Sequence, residues 1–217
     1  MKKLVAPLAA LATLAATPAL AHHPLGGMPM ETFAHGLLSG VGHPILGFDH
    51  LFFVLAVGIA AAVAGRAFTA PLAYIGAMLG GVAVSVLGAQ IGIAEAMIAA
   101  SLLVVGGLLA TGRAVSPILA MVLFAGLGLF HGYAFGGALA AQESVSGTVL
   151  AGYLIGLGVT QYMIAIGAGL VARLAWNAAG HSSVSARIAG GVVAGVGALV
   201  ALEQLEGAAF AALGITV

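Results

Sequence analysis

The segment LFFVLAVGIAAAVA, from Leu51 to Ala64, contains no charged residue, and long apolar stretches of this kind recur down the chain. Six of them lie at about 44–64, 70–89, 92–111, 116–138, 147–172 and 186–210. Each is close to the roughly 20 residues that carry an α-helix across the core of a bilayer. Hydrocarbon offers the backbone no hydrogen-bond partner, so all six are expected to be helical. Glycine, proline and polar residues punctuate the gaps, at Gly65-Arg66, Pro71, Gly112-Arg113, Ser116-Pro117, Gln142-Glu143-Ser144 and 177–185. Only 6% of the 217 residues are charged and 62% are hydrophobic, whereas a soluble domain carries roughly 25% charge. The expected fold class is an all-α integral membrane bundle of six transmembrane helices.

The chain has no net charge with histidine neutral, so no basic surface is expected for nucleic acid. It also lacks cysteine. That excludes disulfides, thiolate metal sites and cysteine nucleophiles, and leaves nitrogen and oxygen as the only metal-ligating atoms.

The N-terminus reads MKKLVAPLAALATLAATPALA, with Lys2 and Lys3 ahead of a short Ala/Leu-rich run and Ala19-Leu20-Ala21 at its end. This is the layout of a secretory signal peptide over residues 1–21, cleaved after Ala21, although the same run can be read as an uncleaved helix. Cleavage leaves a mature six-helix domain over 22–217 that begins His22-His23-Pro24 outside the cytoplasm. The loops after the first, third and fifth spans are then cytoplasmic. Arg66, Arg113, Arg173 and Arg187, every arginine in the chain, fall in or beside those loops, as the positive-inside rule requires. Glu31, Glu95, Glu143, Glu203 and Glu206 fall at or near the outer ends. The chain is therefore expected in the inner membrane of a bacterium, multi-pass, with its mature N-terminus periplasmic. Small-xxx-small pairs, Gly76/Gly80, Gly128/Gly132, Gly152/Gly156 and Gly191/Gly195, suit close helix packing within the bundle or between copies in a homo-oligomer.

Against this apolar background stands HPILGFDH, His43 to His50. Pro44 suits the first turn of a helix, so His43 is expected at the cap of the first span. His43 and His50, seven residues apart, then share a face. Asp49 and His50 lie roughly 10 Å below the helix start. A carboxylate at membrane depth costs on the order of 3 kcal/mol at the bilayer centre and needs a partner, a wet cavity or a cation. Gly42 and Gly47 leave room for one. The fourth span brings His131 to the same outer half, and Glu95 opens the third span near it. His43, Asp49, His50 and His131, with Glu95, form a candidate metal site. Imidazole and carboxylate ligands suit Ni(II), Co(II) or Zn(II), and binding needs neutral imidazole. A second candidate is the new N-terminus, where the α-amine and the imidazole of His22 chelate one ion beside His23. The structural reading of each is an interfacial cap, a helix-locking hydrogen bond or a solvated terminus.

His43, Asp49 and His50 in the order H-x5-DH, followed by DHLFFVLAVGIAAAVAG, IAEAMIAASLLVVGGLL and FHGYAFGG, resemble the HupE/UreJ family along most of the mature chain. These are bacterial membrane proteins regarded as nickel permeases that serve hydrogenase or urease maturation. The resemblance implies a secondary transporter whose divalent metal is cargo, with no permanently bound cofactor. The family pattern in the fourth span reads FHG-x-A-H-G-x-E; here Phe135 stands at the second histidine and Ala138 at the acid, and Glu143 is the nearest acid to replace it.

Three functions compete. A permease would move nickel from periplasm to cytoplasm; no GxxxxGK[ST] motif is present to power it by ATP. A zinc-dependent integral-membrane hydrolase would use His43, His50 and His131 as ligands and Asp49 or Glu95 as base. In a structural subunit the polar groups would serve only helix packing.

Overall fold

The computed structural model describes residues 29–140, 145–177, 180 and 183–214. The signal-peptide segment 1–21, His22, His23, Glu143 and His181 lie outside the described residues. The described residues are helical throughout, in the order α1 (Phe33–Leu46), α2 (Phe48–Val63), α3 (Ala70–Val86), α4 (Ala94–Thr111), α5 (Pro117–Ala140), α6 (Gly147–Leu174) and α7 (Val184–Ala212). Local chemistry sets the ends. The side chains of Thr32, Ser146 and Ser183 accept the backbone N–H three residues on and cap α1, α6 and α7. Gly65, Gly88 and Gly112 take positive φ where α2, α3 and α4 turn back. His35 belongs to the first turn of α1, where its Nδ1 accepts the Glu31 N–H at 3.3 Å.

Among the described residues, α4, α5, α6 and α7 are each long and apolar enough to cross a bilayer alone. Helices α1 and α2 meet that test as a pair bent by 81° at Gly47, and α3 is a shorter apolar helix of 17 residues. Exposed apolar side chains such as Ile118, Val122, Met163, Ile188 and Leu202 cover the outside, as a hydrocarbon solvent requires. The chain is a multi-pass membrane protein.

The expected single helix over 44–64 is corrected here. His43 is not at a helix start but buried in the last turn of α1, with Pro44 inside that helix, and α2 begins afresh at Phe48. The expected drop of Asp49 and His50 along a shared helix is therefore replaced by a corner, with His50 in the first turn of α2. Apolar runs cannot reveal such a break, because the residues on both sides are equally greasy.

Glycines bring the helices into backbone contact. Gly128, Gly132 and Gly136 of α5 lie against Tyr74, Met78 and Ser85 of α3, so that pair runs parallel. Gly36 and Gly40 of α1 meet Val149 and Tyr153 of α6, and Gly58 of α2 meets Ala165, again in parallel. Gly106 of α4 touches Ala194 of α7 while Gly190 touches Ala110, so these two are antiparallel. All four arginines collect at one end of the bundle. Arg66 follows α2, Arg113 follows α4, Arg173 is in the last turn of α6, and Arg187 donates from Nε to the Ala110 carbonyl at 3.0 Å.

The small-residue pairs divide into two kinds. A Cβ on Gly132 would lie 1.8 Å from the Met78 carbonyl oxygen, and Gly152 and Gly156 are equally closed by Phe33 and Leu37. Gly76, Gly80, Gly191 and Gly195 meet nothing within 4 Å. Gly132→Ala is therefore expected to destabilise the detergent-solubilised protein by about 1–3 kcal/mol through overpacking, with Gly76→Ala within about 0.5 kcal/mol of the parent. Equilibrium unfolding in mixed detergent measures both; equal effects would contradict the packing.

Candidate metal centre

Five helices meet beside the break. His43 comes from the end of α1, His50 from the start of α2, Ser101 from α4, His131 and Phe135 from α5, and Tyr153 from α6. Gly47 makes the corner possible in a specific way: a Cβ there would lie 2.8 Å from Cδ2 of the His50 ring. Bulk at this position would displace the imidazole.

The three imidazoles are buried. His43 and His50 are each 7% exposed and His131 is fully enclosed. His50 Nδ1 and His131 Nδ1 are 2.8 Å apart and share a hydrogen bond. On its far side His131 Nε2 reaches the Ser101 hydroxyl at 2.8 Å, and that hydroxyl donates to the Ile98 carbonyl at 2.6 Å. Phe53 stacks on the His131 ring with centroids 4.1 Å apart, fixing its plane. Across the corner the His43 and His50 rings stand edge to face at 6.2 Å. His43 Nδ1 is 3.1 Å from the Tyr153 hydroxyl, which donates to the Phe135 carbonyl at 2.8 Å. The Phe135 ring packs against both histidines, with centroids 5.1 Å from His43 and 4.2 Å from His50.

Asp49 is half-buried beside them. Its Oδ1 accepts the His50 backbone N–H at 2.8 Å and lies 4.0 Å from His50 Nε2. So the structure brings His43, Asp49, His50 and His131 into one neighbourhood, though by folding a corner rather than by lining one helix face. It does not draw them into a closed ligand shell: among the described residues no three His, Asp or Glu side chains converge as a ready metal-holding group. Both nitrogens of His131 are engaged by His50 and Ser101. Glu95, exposed in the first turn of α4, lines a separate open cleft of about 730 Å³ with Ser85, Gln90 and Tyr133. Its backbone carbonyl accepts from Gln204 Nε2 at 3.0 Å.

Sequence reasoning missed Ser101, Tyr153 and the Tyr74–Gln161 pair. A serine, two tyrosines and a glutamine are ordinary residues in a span, and only their partners single them out. Tyr74 donates to Gln161 Oε1 in the core, deeper along α6 than Tyr153, and the Gln161 Nε2 is buried without a partner among the described residues.

The model of the HupE / UreJ protein family matches residues 9–200, which include every residue of this cluster. The chain belongs to the HupE / UreJ family. Protein HupE of Rhizobium leguminosarum bv. viciae is 34% identical over 198 residues, covering 90% of this chain and 95% of that protein. No solved structure matches the chain. For a HupE / UreJ protein the cluster has an informative composition. The H-x5-DH residues are gathered at a helix break, and the Phe135 ring packs against both His43 and His50.

Proposed function

We propose that this chain is a secondary transporter that takes a divalent transition metal, nickel first and cobalt or zinc as related cargo, from periplasm to cytoplasm for metalloenzyme maturation. The observation that carries the reading is the buried pair His43 and His50, set edge to face at a break between two half-helices with Asp49 beside them. Discontinuous helices are a recurring way for transporters to place a cation site within a membrane. An ion resting between His43, His50 and Asp49 exchanges part of its hydration shell for imidazole and carboxylate, with His131 supporting His50 from behind. The exchange has to stay weak enough for release. Glu95 and its cleft mark the approach from the same end of the bundle. His22 and His23, in a cleaved mature chain, are further capture groups ahead of it.

Six crossings require α1 and α2 to count as one and the shorter α3 to cross as well. The parallel pairing of α3 with α5 and of α2 with α6, and the antiparallel pairing of α4 with α7, are the directions alternate crossing demands. The arginine end then faces the cytoplasm of a bacterial inner membrane, and the histidine corner lies roughly 24 Å away along the 16 residues of α2. Gly76/Gly80 and Gly191/Gly195 are the faces left for lipid or for a second copy. A zinc hydrolase is not favoured, because it needs His131 as a third imidazole ligand beside an open water position, and both nitrogens of His131 are engaged by His50 and Ser101.

Accumulation of radioactive nickel by cells expressing the chain tests the reading, against cells carrying the empty vector. Uptake above the vector level, competed by cobalt, is the expected result. Background uptake by cells whose membranes contain the protein would end it.

A further inference from the structure

We propose that Tyr153 and Ser101 are positioning residues that fix where the protons of the histidine cluster sit, holding His43 and His50 in the form whose Nε2 carries the lone pair. Two oxygens 2.6–2.8 Å apart need a proton between them, and a carbonyl has none to give. The Tyr153 hydroxyl therefore spends its one proton on the Phe135 carbonyl. At its 3.1 Å contact with His43 it can only accept, so His43 Nδ1 is the N–H donor. The same step applies to Ser101, whose proton goes to the Ile98 carbonyl. Its oxygen accepts from His131, which makes His131 Nε2 the protonated nitrogen and leaves Nδ1 bare. The bare His131 Nδ1 accepts from His50, so His50 carries its proton on Nδ1 as well.

Two separate hydroxyls, from α6 and α4, thus impose one result on two imidazoles. In each neutral ring the second nitrogen, Nε2, is the basic one. Metal-ligating histidines show this arrangement generally: the far N–H is given to a fixed acceptor, which sets the tautomer and aims the ligating nitrogen. The acceptor for His50 is another imidazole, held in turn by Ser101 and by stacking on Phe53. The metal-binding consequence rests on the transport reading above, whereas the proton placement does not.

The test is nitrogen-15 NMR of the purified, metal-free protein labelled at histidine, at about pH 8, above the histidine range. Two-bond couplings from ring protons distinguish the tautomers. In the parent, His43 and His50 are expected as Nδ1–H and His131 as Nε2–H. Tyr153→Phe releases His43 from its tautomer and leaves His50 and His131 unchanged. Ser101→Ala lets the His50–His131 pair reverse, while Ser101→Thr, which keeps a hydroxyl, retains the parent pattern. Nickel titration of the same samples is expected to show roughly 10–100-fold weaker binding for Tyr153→Phe and Ser101→Ala, with Ser101→Thr near the parent. Parent spectra with Nε2–H on His43 or His50 would overturn the proposal, even if the variants fail to fold. So would folded variants that leave every tautomer in place. A parent with the expected tautomers but no nickel binding would instead refute the transport reading and leave the proton placement standing.

Discussion

His50→Ala is expected to reduce nickel accumulation to the level of cells without the protein, while the variant still reaches the membrane. The His50 ring is the hub of the cluster, in contact with His131, His43 and Phe135 at once. Removing it deletes one ligand of the proposed site and leaves His131 Nδ1 without its donor. Loss of an outer supporting partner alone typically costs about 10–100-fold in metal affinity, so loss of a ligand should cost more. Asp49→Asn is the companion variant. It preserves shape on a half-buried side chain and removes only charge, so membrane insertion and unfolding should stay near the parent while uptake falls. Membrane-fraction blots beside the uptake assay separate the outcomes. Variants that insert normally and still accumulate nickel would exclude the cluster from transport.

Phe135→His is expected to act in the opposite direction on binding. Phe135 is fully buried and its ring touches both His43 and His50. An imidazole there supplies a third nitrogen to a pair that otherwise relies on Asp49. Without metal the new polar group is buried with no assured partner, at a cost of about 1–3 kcal/mol. Bound nickel offsets that cost, since a ligand that binds only the folded state stabilises it by mass action. The variant should therefore melt below the parent without metal and show the larger upward shift when nickel is added, with affinity on the order of tenfold higher. Thermal unfolding with and without nickel reads both quantities. An unchanged nickel-induced shift would mean that the space between the two rings is not where the ion rests.

How far the sequence could be read depends on what each signal reports. Apolar run length reports helix existence, and α3 to α7 lie within a few residues of the stretches read from it. Run length says nothing about direction, so the bend at Gly47 was invisible: HPILGFDH looks like the head of one helix because Ile45, Leu46 and Phe48 keep the apolar pattern across the break. That His50 would find His131 and His43 nearby was legible because an ionisable group in a span must find company. Ser101 and Tyr153 were not, since a hydroxyl in a span satisfies itself on a nearby carbonyl without leaving a trace in the sequence. Among the glycines, spacing alone could not tell Gly132, closed by Met78, from Gly76, which faces outward.

The corner at Gly47 also shapes the field an ion would meet there. The C-terminus of α1 and the N-terminus of α2 adjoin at Gly47, so helix ends of opposite partial charge, roughly half an elementary charge each, lie side by side. Asp49, in the opening turn of α2, answers the positive end. A dication resting at this elbow, as the transport reading has it, would be drawn by one half-helix and opposed by the other, which would keep its binding shallow. A straight helix carrying the same two imidazoles would lack that opposing pull, and would store the ion rather than pass it on.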